Sequence, residues 1–321
     1  MKRFLSATLA AAAVALVSVV AVPTATANPT GCTAHRGTAV KCEVWSDAMD
    51  KPIPTVIRPS LTDNNSRVVQ FFSGIDGGDG WSTRSDQDGK SVLEHLEDED
   101  ATLIFPTSDA RSFFVDWDSP APPNDTKMKY ETFITEELPT YLEANFDVPA
   151  GGKGNTGLVG ISMTGYSVVN LAAKHPDLYK SVLAMSGFYN TQGPIGRAAT
   201  DLSVNTHGET NSGVPWDSEA SRAEDNPWRN IDNLTMPVHM ATATGIPHET
   251  DLQDYETQTL VEGGFLEAGT LVETAAWDVL SRLNGKSNVH ITYIPTGIHA
   301  WNTWIRAAFT EQKLYWQFNQ F

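Results

Sequence analysis

The stretch from Gly157 to Gly187, GLVGISMTGYSVVNLAAKHPDLYKSVLAMSG, constrains the fold more than any other part of the chain. A short apolar run, Leu158 to Ile161, empties into Gly160-Ile161-Ser162-Met163-Thr164-Gly165. Apolar residues then recur at helical spacing through Val168, Val169, Leu171, Ala172 and Ala173 until His175-Pro176 stops them. A second apolar run, Ser181 to Met185, follows. Strand, sharp turn, helix, strand is a βαβ unit with serine at the turn. Such a serine projects its hydroxyl beyond the carboxyl end of its strand, while the following helix begins with unpaired N–H groups and a partial positive charge. The stretch therefore predicts Ser162 as a nucleophile and the Met163 N–H as one donor to an oxyanion. It departs from the commonest nucleophile turn at Thr164, where glycine is usual, and the glycine arrives one residue later.

The remaining elements extend this unit. Lys41 to Trp45 and Pro54 to Arg58 read as short strands separated by a turn at Asp47 to Asp50, and Arg67 to Phe72 as the first central strand. That strand empties into the glycine-rich loop Ser73-Gly74-Ile75-Asp76-Gly77-Gly78-Asp79-Gly80-Trp81. The loop is either a plain glycine turn or the source of a second oxyanion N–H, with Ile75 the candidate. Ser91 to Leu96 reads as a helix, Thr102 to Pro106 as a buried strand, and Ser108 to Pro123, with Phe113, Phe114 and Trp117, as a loop that lines a cleft or packs on the core. Tyr130 to Asn145 carries a helical stripe with Pro139 inside it, which predicts a kink or local break. Tyr189 to Asn226 is a polar excursion with Trp216 as a lone large apolar residue. Met236 to Ala241 reads as a strand, Glu249 to Val261 and Thr270 to Leu283 as two helices, Val289 to Ile294 as the last buried strand, and a final helix carries Trp304, Ile305 and Phe309. Strands alternating with helices predict one α/β domain, a mostly parallel central sheet with helices on both faces.

The chain opens with Lys2-Arg3, an apolar run to about Val22, and Pro23-Thr24-Ala25-Thr26-Ala27. This is the pattern of a secretory signal cleaved after Ala27, leaving 28–321 as the domain, with no integral membrane segment after cleavage. The formal charge of the whole chain, -17, becomes more negative without Lys2 and Arg3. That excludes nucleic acid as a partner and gives no reason for tight adhesion to anionic lipid. It suits a secreted, extracytoplasmic protein associated with the cell envelope. Cys32 and Cys42, the only cysteines, predict one local disulfide pinning the N-terminal segment, worth about 2 to 3 kcal/mol for so short a loop. A metal site is not expected: only His35 lies near the cysteines, and Asp76 and Asp79 fit no full calcium loop. No cofactor motif is present either.

A serine hydroxyl becomes a good nucleophile when a histidine removes its proton and a carboxylate holds that histidine. Among the histidines, His299 lies just beyond the last expected strand in a Gly-x-His loop and is the candidate base. His175 reads as a capping or solvated residue at a helix end, and His239 and His290 as packed or paired in strands. His35, His207 and His248 stay unassigned. For the acid, Glu249, Asp251, Asp254, Glu262, Glu267 and Asp278 all fall between the strand at Met236 and His299, and periodicity does not separate them.

An ordered set of short motifs resembles the mycolyltransferases, the antigen 85 complex and its corynebacterial relatives, in the esterase branch of the α/β-hydrolase fold. The similarity runs from Trp45 almost to the C-terminus and includes Ser112 to Trp117, Tyr130 to Phe133, Gly160-Ile161-Ser162-Met163, Met185-Ser186-Gly187-Phe188, Gly264-Phe265-Leu266-Glu267 and Gly297 to Trp304. The resemblance implies Ser162 as nucleophile, His299 as base and Glu267 as acid, with oxyanion N–H groups at Ile75 and Met163. It implies acyl transfer from trehalose monomycolate or another long-chain ester to a hydroxyl of trehalose, arabinogalactan or a protein. Ser73, Asp76, Trp301 and Phe113 are the substrate-binding positions it suggests. One departure matters: the family's early loop carries an aspartate and an arginine that help hold trehalose, whereas here serine replaces the aspartate and the arginine is missing. Two other functions fit the same residues, a secreted carboxylesterase with this triad and a catalytically weak cell-wall-binding protein.

Overall fold

The computed structural model describes residues 31–121, 125–205, 215–309 and 313–321. The expected signal sequence lies outside the described residues. Among the described residues nine strands form one sheet: β1 (Cys32–Ala34), β2 (Val40–Ser46), β3 (Lys51–Arg58), β4 (Val68–Phe72), β5 (Thr102–Pro106), β6 (Thr156–Ile161), β7 (Tyr179–Met185), β8 (Val238–Ala243) and β9 (Val289–Ile294). Their order is β1-β2-β3-β5-β4-β6-β7-β8-β9. The pairs from β1 to β5 are antiparallel, and every pair from β5 across to β9 is parallel.

All five residues of β4 and all six of β6 are buried, as two-sided coverage requires. Alternate β4 residues enter different cores. Val68 and Phe72 join the cluster that holds Leu171 and Tyr130, whereas Val69 and Phe71 join the one that holds Trp304 and Leu314. Helices thus cover both faces, and the fold is the α/β-hydrolase fold. Among the described residues no helix is long and apolar enough to cross a membrane.

Register places the functional loops. Phe72 of β4 pairs with Gly160 of β6, so Ser73 to Ile75 and Ser162 leave the sheet side by side. Met185 of β7 pairs with Ile161 and with Ala241 of β8, and Ala243 pairs with Ile294 of β9, so the chain beyond each strand emerges at the same end of the sheet.

Three elements differ from the sequence expectation. The stripe around Pro139 does not break. Residues Tyr130 to Phe146 run as a continuous helix with a π segment at Phe133–Glu137, where the Leu138 N–H donates to the Phe133 carbonyl five residues back. Widening one turn just before Pro139 accommodates a residue that lacks an N–H and crowds the preceding turn. The two helices expected on either side of Glu262 to Gly269 are instead a short one, Glu249–Asp254, and a long one, Thr257–Leu283. The glycines within it serve close packing: a Cβ on Gly263 would sit 3.2 Å from the Ile298 side chain and 3.5 Å from the His299 nitrogen. Finally, β9 is an edge strand, largely half-buried or exposed, with only Ile294 fully buried.

At the other edge, Cys32 and Cys42 are directly opposed on β1 and β2 and form the expected disulfide. The polar excursion after β7 contains helices Pro194–Asn205 and Glu219–Glu224. Trp216 is buried within it, its ring 6.0 Å from Phe113 and 6.5 Å from Tyr166.

Candidate active site

Ser162 sits between β6 and the helix Met163–Lys174 with φ 56° and ψ -124°. A non-glycine residue held there stores on the order of 1–3 kcal/mol and needs surroundings that leave it no alternative. Those surroundings are close. A Cβ on Gly160 would lie 2.2 Å from the Thr164 carbonyl oxygen, and one on Gly165 would lie 2.7 Å from that of Met185. The Ser162 N–H donates to the Met185 carbonyl at 2.9 Å, and the Ser162 carbonyl accepts from the Gly165 N–H at 3.0 Å. Thr164, the departure from the usual motif, has a structural task. Its Oγ1 accepts the Ile161 N–H at 3.0 Å and lies 2.9 Å from the carbonyls of both Phe72 and Ile161, tying the turn to β4.

The hydroxyl so presented is 2.7 Å from His299 Nε2, and His299 Nδ1 is 2.9 Å from Glu267 Oε2. His299 arrives on the loop after β9, where its N–H donates to the Gly263 carbonyl at 2.9 Å. Its ring meets the edge of Trp304 at 5.2 Å. Glu267 is fully buried on the long helix. Its Oε1 accepts the Ala243 N–H at 2.6 Å, the Ser186 hydroxyl at 2.8 Å and the Thr242 hydroxyl at 3.2 Å, which leaves Oε2 for the imidazole. Trp304 Nε1 donates to Ser186 Oγ at 3.0 Å, so the residue that flanks the imidazole also fixes a donor to Glu267. An imidazole that donates from Nδ1 to a carboxylate presents Nε2 as an acceptor for a serine proton.

The Met163 N–H opens a helix, where no carbonyl lies one turn back to take it. Ile75 shares a cavity wall with Ser162, Met163 and His299. The Gly74 carbonyl accepts from the Gly77 N–H at 3.1 Å, and the Ile75 carbonyl from the Arg111 N–H at 2.9 Å. In a trans peptide the N–H points opposite to its carbonyl, so the bond at Gly74 directs the Ile75 N–H away from the Gly77 turn. Gly74 lies against the serine, its Cβ position 3.9 Å from Ser162 Cβ.

The cavity at the serine is about 230 Å³, and Phe113, Tyr166, Phe188, Leu202 and Leu266 give it apolar walls. Of the four expected substrate-binding positions, only Phe113 lines it. Ser73 is buried, and Asp76 is exposed, its Oδ1 accepting the Gly78 N–H within its own loop. Trp301 lies at 5.4 Å from Trp81 and 5.6 Å from Trp304, with the Arg84 guanidinium 4.8 Å over its ring, and a Cβ on Gly80 would touch it at 2.2 Å. A ring packed on three sides in this way is not part of the apolar wall. His175 hydrogen-bonds Glu131 at 2.7 Å where a capping or solvated residue was expected. His239 is paired with Thr292 at 2.8 Å.

Nothing in the sequence pointed to Ser186 and Thr242 as partners of Glu267, or to Trp304 as the partner of Ser186. Ser186 stood in a quoted motif, Met185-Ser186-Gly187-Phe188, but polar character alone does not say what a buried hydroxyl touches. Leu202 and Leu266, two walls of the cavity, were missed because each looks like an ordinary helical leucine.

The family model for a putative esterase matches residues 46–315. The chain is 35% identical over 151 residues to the diacylglycerol acyltransferase/mycolyltransferase Ag85B of Mycolicibacterium smegmatis, a match that spans 43% of this chain and 46% of that relative. It is 26% identical over 273 residues to the diacylglycerol acyltransferase/mycolyltransferase Ag85C of Mycobacterium leprae, covering 79% and 78% of the two chains. Its structure is similar to that of Mycobacterium tuberculosis MPT51 (FbpC1), with a TM-score of 0.66 at 20% identity over 84% of this chain and 95% of that one.

Proposed function

Because the chain belongs to the esterase family, whose pattern covers most of its length, we propose that Ser162, His299 and Glu267 form a catalytic triad. The protein is then a serine acyltransferase that moves a mycoloyl group from trehalose monomycolate to a hydroxyl acceptor. The observation that carries this reading is the unbroken chain of hydrogen bonds from Ser162 Oγ through both nitrogens of His299 to Glu267. The apolar cavity beside it and the resemblance to mycolyltransferases support it.

His299 Nε2 takes the Ser162 proton as Oγ attacks the ester carbonyl. The resulting oxyanion accepts hydrogen bonds from the Ile75 and Met163 N–H groups, and Glu267 balances the imidazolium charge. Collapse expels the sugar oxygen, which takes the proton from Nε2 and leaves the acyl group on Ser162. An acceptor hydroxyl from trehalose, arabinogalactan or a protein then repeats the sequence in reverse. The acyl chain lies along the apolar wall of Phe113, Tyr166 and Leu266. No step uses a cofactor, and the working place is the cell envelope after secretion.

Hydrolysis by the same triad is the second reading. It is favoured by one observation: the early loop offers neither a free Ser73 nor an arginine to hold a sugar against the acyl-enzyme. Transfer needs that hold, since water competes for the same intermediate. Mass spectrometry of products from trehalose monomycolate, with trehalose and arabinan both offered, decides between them. Both readings pass through acyl-Ser162; transfer then yields a new mycoloyl ester, whereas free mycolic acid alone establishes the esterase.

A further inference from the structure

Two helices wall the apolar cavity at Ser162. Leu266 comes from the long helix Thr257–Leu283, whereas Ala199, Thr200, Leu202 and Ser203 come from Pro194–Asn205 in the excursion after β7. The spacing of these helices sets the width of the cavity, and one side chain bridges them.

Glu273 stands on the long helix, beyond Glu267, and is buried. Its Oε2 accepts the Asn190 N–H at 3.2 Å, and its carboxyl also takes hydrogen bonds from the N–H groups of Tyr189 and Gly196. Gly196 lies in the first turn of Pro194–Asn205. The first bond of that helix runs from the Arg197 N–H to the Gly193 carbonyl at 2.8 Å, so the Gly196 N–H precedes the helical ladder and needs a partner from elsewhere. A carboxylate placed there also meets the positive end of the helix dipole. Glu273 thus caps, from a different element, the helix that walls the cavity. The fit is close: a Cβ on Gly196 would lie 2.2 Å from the Asn190 carbonyl oxygen. Burial raises the Glu273 carboxyl above its ordinary range, and the three N–H groups work against that rise.

Other contacts of the same helix lead elsewhere. Arg197 pairs with Glu219 at 2.6 Å and Asp201 with Arg222 at 3.1 Å, which joins it to Glu219–Glu224 within the excursion. Val204 packs its last turn into the core. Glu273 is what ties its first turn to the helix that carries Glu267. We propose that Glu273 is a positioning residue for the acyl group: it seats Pro194–Asn205 against the long helix and so selects long acyl chains over short ones at Ser162. The selectivity rests on the acyl-serine reading; the seating of the helix does not. A chain that lies along Leu202 and Leu266 binds only when the helix is seated, so unseating it weakens apparent affinity in proportion to the seated fraction. An acetyl group ends beside the serine and does not need that wall.

Kinetics of the full chain on p-nitrophenyl esters from acetyl to decanoyl, together with amide exchange read by mass spectrometry, test this. Glu273→Ala is expected to lower kcat/KM for the decanoyl ester about tenfold, through KM, and to leave the acetyl ester within about twofold. Peptides within 194–205 are expected to exchange about tenfold faster, with those of the sheet unchanged. Glu273→Gln keeps the size of the side chain and one acceptor oxygen, and is expected to recover part of both losses. It is also the variant to read if melting shows Glu273→Ala unfolded. Val272→Ala, on the exposed side of the same helix, is expected to change neither measurement. Equal losses on the acetyl and decanoyl esters, or unchanged exchange over 194–205, would each overturn the proposal. Fluorophosphonate labelling of Ser162 keeps the two readings apart. Wild type that takes no label refutes the acyl-serine, and the exchange result still decides whether Glu273 seats the helix. Labelled wild type whose chain-length preference survives in the folded variants overturns only the role of Glu273.

Discussion

Two buried carboxylate clusters flank the serine's helix, and they are built differently. At its C-terminal end Lys174 Nζ lies 2.6 Å from both Glu131 and Asp225, with His175 on Glu131 at 2.7 Å and Trp216 Nε1 on Asp225 at 2.7 Å. That cluster joins the Tyr130 helix, the serine's helix and the excursion around Trp216, and a cation neutralises its acids. Beyond the opposite end, Glu267 receives only neutral donors on Oε1 and offers Oε2 to the imidazole. A fixed ammonium there would cancel the charge that an imidazolium needs beside it. In the first cluster the buried carboxylates share a cation, whereas Glu267, the proposed acid, is held by dipoles and keeps its charge for the imidazole.

If this contrast is right, substitutions at the two clusters separate rate from stability. Ser162→Ala is expected to lower kcat/KM by about 10⁶ and to abolish phosphonate labelling, with the melting temperature nearly unchanged. Glu267→Gln keeps the size of the side chain but removes the charge, and about 10⁴ in kcat is expected to go with it. A urea melt of that variant close to wild type would sharpen the comparison. Lys174→Met reverses the pattern: two buried acids lose their cation, at a cost of about 3–5 kcal/mol in urea unfolding, while kcat on a soluble ester stays near wild type. A large kcat loss with intact stability in Lys174→Met would break the distinction. Ser186→Ala removes one donor to Glu267 and is expected to cost about tenfold in kcat, with a shifted pH–rate profile that a purely structural role would not produce.

The smallest effect is on the pH dependence of stability. Burial alone would raise the Glu131 carboxyl, but the His175 hydrogen bond and the Lys174 charge outweigh it and hold it below its ordinary range. Burial alone would lower Lys174, but Asp225 and Glu131 raise it above its usual value. The depressed carboxyl contributes stability that is present above the unfolded value of about 4.3 and is lost as pH falls through the folded one. The raised ammonium contributes stability that is present below about 10.4 and is lost as pH rises through its folded value. Unfolding free energy measured against pH should therefore show a shoulder on each side of a plateau; Lys174→Met should remove the alkaline one and shrink the acid one, to which the His175 hydrogen bond still contributes.

Much of this was legible in the residues because strand and turn signals are local. The run from Leu158 to Ile161 and the glycines around Ser162 announce the turn by themselves, and His299 follows a strand closely enough to be singled out. The acid was not separable by periodicity, since six carboxylates met the same condition; only the Phe-Leu-Glu triplet of a known family pointed to Glu267. The long helix was misread at Gly263, Gly264 and Gly269 because glycine usually signals a break; here Gly263 admits the His299 loop, Gly264 the Gly245 carbonyl and Gly269 the Phe188 ring. Trp301 was expected to give apolar lining for a long alkyl chain, with core packing as the alternative, and packing is what the structure shows. Its contacts with Trp81, Trp304 and Arg84 come from segments far apart in the chain, which no local pattern records.

The long helix carries both Glu267 and the Gly263 carbonyl that tethers His299. Glu267 is itself tied to Ala243 of β8 and to Ser186 just beyond β7, and the strained backbone of Ser162 is anchored to β4 and β7. The proposed acid, base and nucleophile therefore hang from neighbouring strands of one sheet, so a substitution that displaces one of those strands is felt by all three.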